Sequence, residues 1–159
     1  MTKIAGLAIL TAVVSLAASA NAQSKSTSSS LPQDELRPLI EQMEVSANAH
    51  DTDKFLQCYL HSPALIFAVN GTAIHGYDDL RIQQLKWWNN GKSDVVYTRQ
   101  AEPEFIVISQ DAVVVTLVEG SVRTKPDGTT AKNVAVISLV WQKFAEGWRV
   151  VYAHESTGH

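Results

Sequence analysis

Residues 134–144, VAVISLVWQKF, run through Ala145-Glu146-Gly147 into residues 148–156, WRVVYAHES, and this stretch decides the fold. Valine, isoleucine and an aromatic dominate the first run, the composition of a strand seated on a pleated, half-buried surface. The short Gly-containing connection makes the two runs a β-hairpin. Side chains along a strand alternate with period two. Trp148, Val150, Tyr152, His154 and Ser156 are therefore expected on one face, and Arg149, Val151, Ala153 and Glu155 on the other. The first face begins aromatic and ends polar. That suits the wall of a pocket closed at its bottom and chemically equipped at its mouth.

Two long strands lead into this hairpin. Residues 112–124 put Val113, Val115, Leu117, Glu119, Ser121 and Arg123 on one face. Residues 94–108 form another strand, with Pro103 inside it. Proline cannot donate to a ladder, so a bend or bulge is expected there. Helices come first. Pro32 suits a first helical turn, and Leu36, Leu39, Ile40, Met43 and Ala47 form one stripe at helical spacing. Asp51 can cap a second helix over residues 52–60, with Phe55, Leu56, Tyr59 and Leu60 inward. Asn70-Gly71 is a hairpin turn between short strands at 64–69 and 72–75. Residues 77–88 predict a third helix, closed by Asn89-Asn90-Gly91. Trp87 and Trp88 end it side by side, and adjacent helical positions cannot both face inward. Helices grouped before a run of strands specify α+β rather than a parallel α/β fold. The expected form is three N-terminal helices packed in a strongly curved antiparallel sheet, which leaves a cavity.

The chain has 159 residues, enough for one domain, and at 45% hydrophobic it can bury a core. The first 22 residues are expected to lie outside that core. Lys3, an uncharged run over 4–20 and Ala20-Asn21-Ala22 form a secretory signal peptide with an A-x-A cleavage site. The run is short for a membrane anchor. Residues 23–31 read as a Ser-rich disordered linker, and 32–159 as the folded domain. Cleavage removes one lysine and no acid, so the formal charge moves from −3 to −4. A periplasmic or secreted protein is expected, without membrane attachment after cleavage. No basic run or basic patch with interleaved aromatics points to nucleic acid. Cys58 has no intrachain partner for a disulfide and reads as a small buried hydrophobe.

Several residues could carry chemistry. His154 is expected on the face of Trp148 and Tyr152, where an imidazole can serve as acid or base, or simply bond a neighbouring loop or pack in a dimer interface. Glu119 follows three apolar residues on its face. It either enters a pocket, where burial raises its pKa, or pairs with Arg123 in solvent. Tyr97 can donate to an oxyanion and Arg99 can hold a carboxylate. Tyr152, Trp88 and Tyr59 complete the expected substrate-binding set. The five histidines are scattered, without H-x-x-x-H or C-x-x-C, so no metal is expected. No G-x-S-x-G or Gly-rich phosphate loop implies a cofactor.

The order of elements resembles the NTF2-like superfamily (SnoaL-like, ketosteroid-isomerase-like). The resemblance is carried by Asn70-Gly71-Thr72 through Gly76, by the helix that follows, and by Val140, Trp141, Lys143, Gly147, Trp148, Val150, His154 and Ser156. It covers residues 33–159 and implies the cone fold. The C-terminal part is also similar to the association domain of calmodulin-dependent kinase II, with Tyr152 and His154 at the positions of two family histidines. That domain's pocket is lined by arginines; Glu119 and Leu139 stand at equivalent positions here, which counts against an anion pocket. The superfamily implies a cavity for a small apolar or carbonyl-containing molecule and a homodimer or higher oligomer. The activity classes it suggests are isomerase, cyclase or hydro-lyase, or else a non-catalytic ligand-binding or oligomerisation module.

Overall fold

The computed structural model describes residues 30–125 and 127–158. The signal-peptide reading lies outside the described residues, as does nearly all of the linker.

Helix α1, Pro32–Asn48, opens with proline in its first turn and Asp34 and Glu35 near its positive end. Leu36, Ile40, Met43 and Ala47 are buried along one stripe. Helix α2, Thr52–Leu56, is capped by Asp51, whose carboxylate accepts from the Lys54 amide at 3.1 Å. It ends four residues before the expected Leu60. The reason is a competing strand-like pairing: Val150 donates its N–H to Cys58 at 2.8 Å, and Leu60 donates to Val150 at 2.9 Å. That pairing holds Tyr59 flat against the last strand.

Strands β1, Ile66–Val69, and β2, Thr72–His75, turn at Asn70 and Gly71, with φ of 46° and 80°. These are the left-handed values that an Asn-Gly hairpin needs. Helix α3, Tyr77–Trp87, follows. The expected strand over 94–108 is two strands, β3, Val96–Arg99, and β4, Glu104–Ser109. Pro103 lies in the break, and both pieces pair antiparallel with successive parts of one partner, β5, Ala112–Thr124. Strands β6, Thr130–Phe144, and β7, Gly147–Thr157, form the expected hairpin.

The sheet runs β2-β1-β7-β6-β5-β3, with β4 also on β5. All pairs are antiparallel except β1 with β7, which run parallel. The helices fill the concave side. The core joins Leu36, Ile40 and Met43 of α1 to Val113, Val115, Leu139 and Trp141 of the sheet. A smaller cluster, Ala47, Trp88 and Val95, lies apart from it.

One irregularity governs everything downstream. Val140 faces Tyr152 across β6 and β7, but Trp141 faces Val150, so Val151 has no opposite residue. This is a β-bulge, and it shifts the alternation of β7 by one. Trp148 and Val150 face the helices before it; Ala153 and Glu155 do so after it. The expectation that Tyr152 and His154 share the face of Trp148 is therefore corrected. Both lie on the outer face, and His154 is exposed.

Candidate functional site

Between α1, α3 and the concave sheet lies a cavity of about 710 Å³. That is within the range of about 300–1,000 Å³ typical of small-molecule sites. Strand parity on β5 places Leu117, Glu119, Ser121 and Arg123 along it, as the sequence pattern indicates. Strand β6 contributes Asn133, Ala135 and Ile137, register partners of Ser121, Glu119 and Leu117, together with Leu139 opposite Val115. Strand β7 contributes Glu155 through the bulge. Phe55, Tyr59, Trp87, Trp88 and Tyr97 supply an aromatic wall.

Of the residues expected at the site, Glu119, Tyr97, Trp88 and Tyr59 converge on this cavity. Trp87 joins Trp88 there, against the expectation that the two must diverge. Trp88 is the C-cap of α3, at φ −97° and ψ 14°, so it has left the helical geometry that would have turned it away. Arg99 shares the inner face of β3 with Tyr97 but is occupied: its guanidinium donates to both oxygens of Glu44 at 2.6 Å. A fork-on-carboxylate pair of this kind fixes Glu44 in the cavity wall through the Nε and Nη2 edge of Arg99 and points that edge away from a ligand. His154 and Tyr152 are not in the cavity, for the reason of the bulge.

Glu155, Glu44 and Gln84 are cavity residues that the sequence reading missed. Glu155 was hidden by the bulge. Gln84 was hidden by the weak amphipathicity of α3, although it is buried at 5% exposure.

The electrostatics divide the carboxylates. Burial pushes Glu119 up to about 7, with Glu44 and Glu155 adding to the shift and Arg99 opposing it. Burial also raises Glu155. Among the described residues neither carboxyl has a salt-bridge or hydrogen-bond partner. The Tyr97 hydroxyl accepts from the Trp88 indole at 2.9 Å, which orients its own proton elsewhere. Burial drives both Tyr59 and Tyr97 upward, so both are neutral phenols. At the rim, Arg123 donates to the Trp87 carbonyl and to Ser93, and lies 3.9 Å from Asp94. The arrangement offers a proton-exchanging carboxyl, a second carboxyl and phenol hydroxyls inside an apolar shell. Among the described residues no group of three His, Cys, Asp or Glu is placed to hold a metal ion, and no helix is long and apolar enough to cross a membrane.

A cone of helices within a curved sheet is the fold of solved structures described as NTF2-like and ketosteroid isomerase-like. Within that fold, the chain belongs to the calcium/calmodulin dependent protein kinase II association domain family, whose model matches residues 32–159. An NTF-2 like protein from Shewanella oneidensis MR-1 is 24% identical with a TM-score of 0.65, over 79% of this chain and 98% of that one. The association domain of CaMKII from C. elegans is 19% identical with a TM-score of 0.63, over 78% and 94%. A ketosteroid isomerase-like protein from Erwinia carotovora atroseptica is 17% identical with a TM-score of 0.64, over 79% and 95%. At these identities the likeness speaks to the fold. Among curated proteins none matches the chain by sequence.

Proposed function

We propose that the protein binds a small molecule in the cone cavity and that Glu119 exchanges a proton with it. The observation that carries this is a carboxyl without a partner among the described residues, held at about 7 by burial, inside a cavity of about 710 Å³. An acid or base is most effective when its pKa lies near the working pH. The reactions this suits are isomerisation, cyclisation or the addition and loss of water, with Tyr97 or Tyr59 donating to a developing oxyanion. No metal or nucleotide enters this reading. Native mass spectrometry on protein purified from its source tests it. A retained small molecule is expected, lost on introduction of Ser121→Trp to fill the cavity. Protein that is always empty counts against it.

The outer sheet favours association as a second role. Val96, Ile106, Val122, Val134 and Val136 are between 38% and 64% exposed on that face. An apolar surface of this kind marks an interface, and the family is named for association. A homodimer through this face is the proposed state, with higher oligomers allowed. Light scattering after size exclusion should show a multimer at micromolar concentration, and a monomer there sinks the idea. Export completes the proposal, resting on Lys3, the apolar run and Ala20-Asn21-Ala22. The intact mass of protein recovered outside the cytoplasm should lack residues 1–22.

A further inference from the structure

We infer that the cavity ligand is a protonated organic amine, its ammonium seated between Glu119 and Glu155 and its apolar body against the aromatic wall. This rests on the reading of the cavity as a small-molecule site and specifies the ligand's charge.

Charge is the first ground. Three carboxylates belong to the cavity wall, Glu44, Glu119 and Glu155. Arg99 neutralises Glu44 at 2.6 Å. Glu119 is the register partner of Arg99 across β3 and β5, yet the guanidinium is turned to α1. Glu155 projects from β7 beside Ile137, two strands away from Glu119 in the same sheet. Beyond burial, Glu44 and Glu155 raise the cost of ionising Glu119. Arg123 is engaged at the rim with Asp94, and Lys86 is exposed; among the described residues neither forms an ion pair with Glu119 or Glu155. One ligand cation relieves this imbalance, whereas a ligand anion meets two like charges.

Unpartnered polar groups are the second ground. Tyr59 is 1% exposed and Gln84 is 5% exposed, and both line the cavity. Among the described residues no hydrogen bond is made by the Tyr59 hydroxyl or the Gln84 amide. The fully buried side-chain atoms without a partner among the described residues are Thr52 Oγ1 and Trp141 Nε1, so the polar ends of Tyr59 and Gln84 open onto the cavity, where a ligand can meet them. The Tyr59 oxygen and the Gln84 carbonyl are acceptors, and an ammonium carries three donors. Phenol oxygens, an amide carbonyl and two carboxylates make a set rich in acceptors.

The wall is the third ground. Phe55 meets Trp88 edge-on at 5.1 Å and Tyr59 at 5.7 Å. Aromatic rings attract organic cations and accept methylene groups.

Isothermal titration of the full chain with phenethylamine, phenethyl alcohol and phenylacetate separates the classes on one skeleton. The amine should bind about tenfold tighter than the alcohol, the advantage of a charge-assisted hydrogen bond over a neutral one. Phenylacetate should bind weakest. An aliphatic amine stays protonated to about pH 10, so its affinity should rise between about pH 5 and about pH 8 as Glu119 ionises. Glu119→Gln should flatten that rise and weaken the amine while sparing the alcohol, and Glu155→Gln, whose carboxyl is also raised by burial, should weaken the amine likewise. If the alcohol binds as tightly as the amine, or phenylacetate binds tighter, the amine inference is overturned and the cavity reading stands. If none of the probes binds, the amine inference falls; if native mass spectrometry also finds the protein always empty, the cavity reading falls with it. The wild-type series needs no variant to fold.

Discussion

The two ends of the cone treat a glutamate in opposite ways. At the closed end Glu35 accepts from Lys143 at 2.6 Å, from Ser30 at 2.7 Å and from the Trp148 indole at 2.8 Å. Lys143 first, then Ser30 and Trp148, hold its carboxyl down at about 2. In the cavity Glu119 finds apolar walls, like charges and an arginine committed elsewhere, and stands at about 7. Glu35 accepts from an indole, and Glu119 shares its cavity with an aromatic wall. Partners, not proximity to aromatics, separate the group that knits the fold from the group available for chemistry.

The largest effect should come from the closed end. Trp148 is buried, and Trp148→Ala removes both its packing and a donor to Glu35. A loss of about 3–5 kcal/mol in a denaturant melt is expected, as for other buried aromatic truncations. A loss near zero would mean that this end is not a core.

Next comes Glu119→Gln, with the opposite sign. The folded pKa of Glu119 is about 7 against an ordinary 4.5, so the folded state holds a proton that the unfolded state releases. Wild-type stability from this group is therefore complete below about 4.5 and is lost as the pH rises through about 7. At pH 8 the variant should be more stable by up to about 3 kcal/mol, and its stability should be flatter across that window. Equal melts at both ends of the window would place Glu119 in solvent.

Glu35→Gln should behave as the mirror image. Its folded value lies below 4.5, so its stabilising effect is present above that pH and fades as the pH falls towards about 2. The variant should melt below wild type at neutral pH, by less than Trp148→Ala, and the gap should close on acidification. The smallest effect belongs to His154→Ala. An exposed outer-face side chain should change stability by no more than about 0.5 kcal/mol and leave phenethylamine binding untouched.

Much of this was legible in the residues. Glu119 falls on the same face as Val113, Val115 and Leu117, and that alternation holds along all of β5 because no register shift interrupts its pairing with β6. The Asp51 cap and the Asn70-Gly71 turn are local and were readable locally. Most of the misplacements share a cause, dependence on a distant partner, and one is a matter of where a helix ends. Helix α2 stops because β7 claims the backbone around Tyr59. The parallel run of β1 beside β7 joins segments about eighty residues apart. Trp87 and Trp88 converge because α3 ends between them. His154 was assigned inward because nothing in WRVVYAHES marks Val151 as the residue without an opposite number.

That unopposed valine makes β7 two half-strands in opposite phase. Were the bulge ironed out at unchanged length, with Val151 opposite Val140, the alternation would run unbroken and the occupants of the two faces beyond that point would exchange. His154 would enter the cavity and Glu155 would move to the outer sheet, with the fold's connectivity unchanged. Ligand chemistry and interface chemistry are thus linked through a single backbone position, and relatives of the same length that lack the bulge should differ in both properties at once.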